Sequence, residues 1–164
     1  MAFSGVSISL VSAESPETKQ LWAVVVGVEG GGAVHLDNDA MDFANVLTST
    51  YGYPSSNIKL LINSEATKSA VISALEWIRD QESKPDAVCL FFSVHGSSDC
   101  IYLYDDSLHD YELSTILLEF ESHNILVVLS APKRYLLSQL TTRPTGTEAT
   151  NDIVNVSQSI DVSA

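Results

Sequence analysis

The chain has 164 residues, 45% of them hydrophobic and 18% charged, enough for one domain with a sizeable core, and this excludes disorder over most of its length. Its 21 acidic and 8 basic side chains give a net charge of −13, which excludes a nucleic-acid backbone as partner, because displacing its counterions needs Lys and Arg. Basic peptides or proteins suit that charge; solubility alone is the competing reading.

Residues 1–20 read as a flexible arm. The stretch Met1 to Ser15 lacks the basic start and continuous apolar run of a secretory signal, and no segment reaches the roughly 18 apolar residues of a spanning helix. The expectation is a cytoplasmic protein with no membrane contact. Leu21 to Val28 is short, β-branched and closed by glycines, as in a strand buried on both faces of a parallel sheet. Residues 37–50 follow as a helix with Ala40, Phe43, Ala44 and Leu47 on one stripe, and Asp37 to Asp39 are placed to cap it.

Ile58 to Ile62 is the second strand. A second helix starts near Ala66–Thr67, with Val71, Ala74, Leu75 and Ile78 as its apolar stripe. Ala87 to Val94 is the third strand and ends at His95–Gly96. Ile101 to Tyr104 reads as a hairpin or edge strand, Asp110 to Glu121 as a third helix, and Ile125 to Leu129 as a fourth core strand. Leu136, Leu137 and Leu140 could extend a short helix, and residues 141–164 read as a loose polar tail. Strand and helix alternate throughout, which predicts an α/β domain over 21–140, its sheet mostly parallel with helices on both faces.

Ligands of such sheets collect at the carboxyl ends of the strands. The turn Gly27-Val28-Glu29-Gly30-Gly31-Gly32 departs from the dinucleotide pattern, because Glu29 stands at the second glycine and would repel phosphate. His95 is the stronger candidate. At a sheet mouth a histidine can move protons near neutral pH, and Gly96 would let a substrate carbonyl approach a backbone N–H. Of the two cysteines, Cys89 sits inside an apolar run and reads as a buried, inert thiol; Cys100 follows His95 by five residues, and no zinc-type spacing is present.

Several stretches, in order, resemble the caspase and metacaspase group of cysteine peptidases. They are Trp22 to Gly27, Leu36-Asp37-Asn38-Asp39-Ala40, Tyr51-Gly52-Tyr53 onward to Trp77, Phe91-Phe92-Ser93-Val94-His95-Gly96, and Tyr102-Leu103 with Asp105-Asp106. The resemblance covers roughly residues 21–131. It implies a caspase-like three-layer sandwich with the small-subunit part missing, His95 as general base, Gly96 as oxyanion donor, and Asp39, Ser93 and Ser130 around the substrate. In the metacaspase branch Asp39 aligns with an acid that selects Lys or Arg; a helix-capping role is the other reading.

The departures are as informative. The family's Asp-Ala-Cys after the fourth strand is here Ser130-Ala131-Pro132, so Pro132 stands at the nucleophile and Ser130 at the aspartate. Proline offers neither a nucleophile nor an N–H. The resemblance therefore implies a cysteine endopeptidase-family domain that is inactive or impaired: a pseudoenzyme or truncated copy. Cys100 is the substitute thiol to consider. The rival reading is a non-peptidase doubly wound signalling or nucleotide-binding module. No cofactor is expected, although calcium dependence is common in metacaspases and Asp105, Asp106 and Asp110 could hold a hard cation. A truncated sheet would expose the fourth strand, so self-association through 125–140 is expected alongside a peptide or protein partner.

Overall fold

The computed structural model describes residues 18–30 and 35–130, and the backbone of 156–158. The elements run β1 (Leu21–Gly27), α1 (Leu36–Ser49), β2 (Ile58–Ile62), α2 (Lys68–Arg79), β3 (Ala87–Ser93), β4 (Cys100–Tyr102), β5 (Ser107–His109), α3 (Asp110–Leu117), β6 (Asn124–Ser130) and β7 (Val156–Gln158). Short 3-10 turns at Ser55–Asn57 and Asn63–Glu65 flank β2. The main sheet has the order β2-β1-β3-β6-β7, and every pairing in it is parallel. No helix among the described residues is long and apolar enough to cross a membrane.

Successive strand residues point to opposite faces, so a strand covered on both sides must be apolar throughout. β1 and β3 are, and their two side-chain sets build two cores. Trp22, Val24, Val26, Val88, Leu90 and Phe92 face one way, where Val71, Leu75 and Ile78 of α2 and Leu113 and Leu117 of α3 cover them. Ala23, Val25, Cys89 and Phe91 face the other way, against Ala40, Ala44 and Leu47 of α1. Phe43 of α1 stacks on Phe91 with ring centroids 4.1 Å apart. The helix stripes legible in the sequence are those that pack.

The strand order fixes where a ligand can enter. From β1 the chain leaves through α1 to β2 on one side; from β3 it leaves through α3 to β6 on the other. Neighbouring strands whose connections diverge leave a crevice beyond their carboxyl ends. Here that crevice lies between the ends of β1 and β3, where Gly27 is in register with Ser93. The approach of α1 there is close, since a Cβ on Gly27 would lie 2.7 Å from the Ala40 Cβ and 2.8 Å from the Leu36 carbonyl oxygen.

Three expectations change. The start of α1 is not capped by Asp37 or Asp39: its N-cap is His35, in the left-handed region at φ 78, with no side-chain cap. The edge of β6 is not open along its length, because β7 pairs with Val127 to Leu129. That strand falls within the stretch expected to be a loose tail; the remainder of that stretch and the anticipated helix at Leu136 to Leu140 lie outside the described residues. Finally, α3 is shorter than its apolar pattern and ends at Leu117, although Phe120 beyond it is still buried.

The amino end of the sheet is tied by buried acids. The Asp86 carboxylate accepts from the Gln20 N–H at 2.7 Å, the Trp22 indole at 3.0 Å and the Ser83 N–H at 2.9 Å. Glu82, also buried, accepts the N–H groups of Glu121 and Ser122 at 2.6 and 2.8 Å. Burial raises the Glu82 pKa, opposed by those two hydrogen bonds.

Candidate functional site

The crevice gathers residues from three strand ends and one helix. His95, half-buried, follows β3; its Nε2 lies 2.6 Å from the Gly30 carbonyl oxygen, beyond β1. A carbonyl only accepts, so Nε2 carries the ring proton in that contact and the lone pair of the neutral ring is at Nδ1. The ring is thus held in one tautomer with a basic nitrogen, the arrangement a proton-transferring histidine needs. Ser93, fully buried at the end of β3, donates its hydroxyl to Asp39 Oδ2 at 3.2 Å. Ser130, in register with Ser93 across the β3–β6 ladder, ends the next strand. His95, Ser93, Asp39 and Ser130 therefore share one edge of the sheet.

Gly96 has a further reason to be glycine. It bridges to Ile101 in an antiparallel pair, and a Cβ there would lie 2.5 Å from the Cys100 carbonyl oxygen. The flanking bonds run from Ser97 N to Cys100 O at 2.8 Å and from Tyr102 N to His95 O at 2.8 Å. In such a pair the Gly96 N–H turns away from the partner strand, which leaves it free of that ladder.

Neither thiol partners His95 by hydrogen bonding. Cys89 lies within β3, and burial pushes its thiol up to about 12, so it is not ionised near neutral pH. Cys100 is buried in β4, and its sulfur meets Ser97 Oγ at 3.1 Å. Pro132 lies outside the described residues.

The floor of the crevice is a polar network that the sequence did not announce. Glu29 N–H donates to Asn63 Oδ1 at 2.9 Å, Asn63 Nδ2 donates to Asp37 Oδ2 at 3.2 Å, and the His35 N–H donates to Glu29 Oε1 at 3.1 Å. Glu29, read from the sequence only as a phosphate-repelling residue, is a tie between the loops after β1 and β2 and the start of α1. The Asp37 carboxyl is held below its ordinary value: burial opposes this, but hydrogen bonds from the Asn38 N–H and the Asn63 side-chain amide outweigh it. Asp37 and Asp39 also sit in the first turn of α1, where the helix dipole favours negative charge.

The acids considered for calcium have other occupations. Asp105 Oδ1 accepts the Lys68 N–H at 2.8 Å, and Asp106 accepts the Ser107 N–H at 2.7 Å and pairs with Lys68 Nζ at 3.6 Å. Among the described residues these two do not converge with Asp110 into a three-ligand group.

No protein-family model matches the chain, and no curated protein matches it. Two solved structures are similar. Protein GSU0716 from Geobacter sulfurreducens superposes with a TM-score of 0.59 at 20% identity, over 74% of this chain and 53% of that one. Pro-sf-caspase-1 superposes with a TM-score of 0.52 at 12% identity, over 91% of this chain and 61% of that one. The chain thus spans a little over half the length of either. At these identities the likeness is one of fold, a mostly parallel α/β sandwich consistent with the caspase-like arrangement.

Proposed function

We propose that this chain is a caspase-like domain that holds basic peptide segments at the carboxyl edge of its sheet and does not hydrolyse them. The observation that carries this reading is the state of His95. Its ring is fixed by the Gly30 carbonyl, as a general base requires, yet neither of the chain's two cysteines is its hydrogen-bond partner. A base without a thiol to deprotonate has no nucleophile to activate. The sequence Ser130-Ala131-Pro132, where the resemblance expects the nucleophile, supports the same conclusion.

The crevice favours cations. Glu29 and Asp37 in its floor, with Asp39 bonded to Ser93, bring three carboxylates to it, and the whole chain carries −13. Asp39, exposed and oriented by Ser93, is the residue for a Lys or Arg side chain. The test is hydrolysis of fluorogenic peptides ending in Arg, Lys or Asp, with binding of the same peptides followed by fluorescence anisotropy. The expected result is no hydrolysis by the protein or by His95→Ala, with binding of Arg and Lys peptides that weakens several-fold in Asp39→Asn. Hydrolysis abolished by His95→Ala overturns the inactive reading. Equal affinity for Asp and Arg peptides overturns the basic preference.

A further inference from the structure

The hairpin that follows His95 brings together three ligand-bearing side chains that no linear spacing announced. We infer that Asp99, Cys100 and His109 form a binding site for a divalent cation of the zinc type. Their ligand atoms all lie within 4.8 Å of one another. Cys100 and His109 are direct partners in the β4–β5 ladder. Asp110 N donates to Asp99 O at 3.0 Å just outside that pair, which makes it a non-hydrogen-bonded pair, the kind in which facing side chains stand closest on one face. Asp99 adds its carboxylate from the preceding residue.

The donor set selects the ion. A thiolate and an imidazole suit zinc, while calcium and magnesium prefer oxygen alone. Zinc at about 2.0–2.3 Å from each ligand would need them about 3.5 Å apart, so no pair has to close by more than about 1.3 Å. Ser97 is already at hand, its Oγ 3.1 Å from both Cys100 Sγ and Asp99 Oδ1. Its one hydroxyl proton, donated to Asp99 Oδ1, can orient that carboxylate, leaving a fourth position to water. Binding the ion displaces the Cys100 thiol proton to solvent.

Loading the site has a structural consequence. A His109 ring nitrogen accepts the N–H of Glu112 and so caps α3. A neutral imidazole has one in-plane lone pair, and it cannot serve both that N–H and a metal. If the capping nitrogen binds the ion, it leaves the N–H. If the other nitrogen binds, the ring proton moves onto the capping one. Either way the cap is released, and the start of α3 loosens as the metal binds.

The experiment adds cobalt(II) and zinc to the whole chain. Cobalt should give a near-ultraviolet thiolate-to-metal absorption, absent in Cys100→Ser. Affinity should fall more than about tenfold in His109→Asn, a substitution that keeps a good N-cap for α3 and so preserves the fold. In the unsubstituted chain, zinc should slow alkylation of Cys100 and a chelator should restore it. The Glu112 amide should exchange faster with solvent in the zinc form. No cobalt–thiolate band and no protection of Cys100 overturns the site. A cobalt affinity unchanged in His109→Asn, or a Glu112 amide indifferent to zinc, removes His109 from it and overturns the inference as stated.

Discussion

His95 Nε2 and the Gly30 carbonyl oxygen, 2.6 Å apart, join the ends of β3 and β1 across 65 positions of sequence. The contact places the ring proton on Nε2 and leaves the lone pair of the neutral ring at Nδ1, and it lies in the crevice that the strand order creates. Nitrogen-15 chemical shifts of the His95 ring, followed through its titration, should report a neutral form protonated at Nε2. A ring protonated at Nδ1 would mean that the Gly30 contact does not hold in solution and that the base faces another way.

Gly27 sets the distance between β1 and α1. A Cβ there meets the Ala40 Cβ at 2.7 Å and the Asp37 Cα at 2.9 Å, neither of which is the end of a flexible side chain. Gly27→Ala should cost about 1–3 kcal/mol, the usual range for overpacking. It should also shift the resonances of Asp37 and Asp39, because the first turn of α1 has to move. Chemical unfolding and backbone shifts check both; an unchanged stability would show that α1 tolerates displacement.

Asp86 is the tie at the opposite end. Asp86→Ala would leave three donors, those of Gln20, Trp22 and Ser83, without their carboxylate. Only the indole bond is buried, the other two being part-buried, so at about 1–3 kcal/mol for a buried donor left unpaired the loss should be roughly 2 kcal/mol. Asp86→Asn, which keeps one oxygen, should lose less. Denaturant titrations of both would decide it, and equal losses would count against the hydrogen-bond account.

Glu112 predicts an acid-sensitive helix start. Its pKa is lowered, first by the hydrogen bond from the His109 N–H, against burial, and then by Lys68, whose Nζ is 2.9 Å away. A carboxyl with a folded pKa below its unfolded one contributes stability that is complete above the unfolded value of about 4.3 and lost as pH falls through the folded one. Glu112→Gln should therefore flatten the stability profile below about pH 5 and lower the plateau above it. A profile that keeps its acid slope in the variant would assign that slope to other carboxylates.

Much of the fold was legible in the chain. The continuous apolar runs of β1 and β3 and the helical stripes of α1 and α2 are local patterns, and each element buries the face its period predicts. His95 and Ser93 were readable for the same reason, since they stand at the end of such a strand and the carboxyl end of a parallel strand is a known place for ligands; Asp39 was singled out only through the family resemblance. The His35 N-cap was not readable, because a left-handed non-glycine residue is held by contacts made elsewhere, here the Glu29 carboxylate. The β6–β7 pairing was not readable either, since a three-residue strand within a polar stretch has no period to detect.

What the sequence by itself determined was the alternation of elements and their buried faces. Those depend on local pattern and residue identity. What only the tertiary structure decided were the partnerships: His95 with Gly30, Asp86 with Trp22, Glu29 with Asn63, and Cys100 with His109 across a hairpin. Each joins groups separated along the chain, and a hydrogen bond or a shared ligand site depends on where folding leaves two atoms, which sequence spacing does not encode.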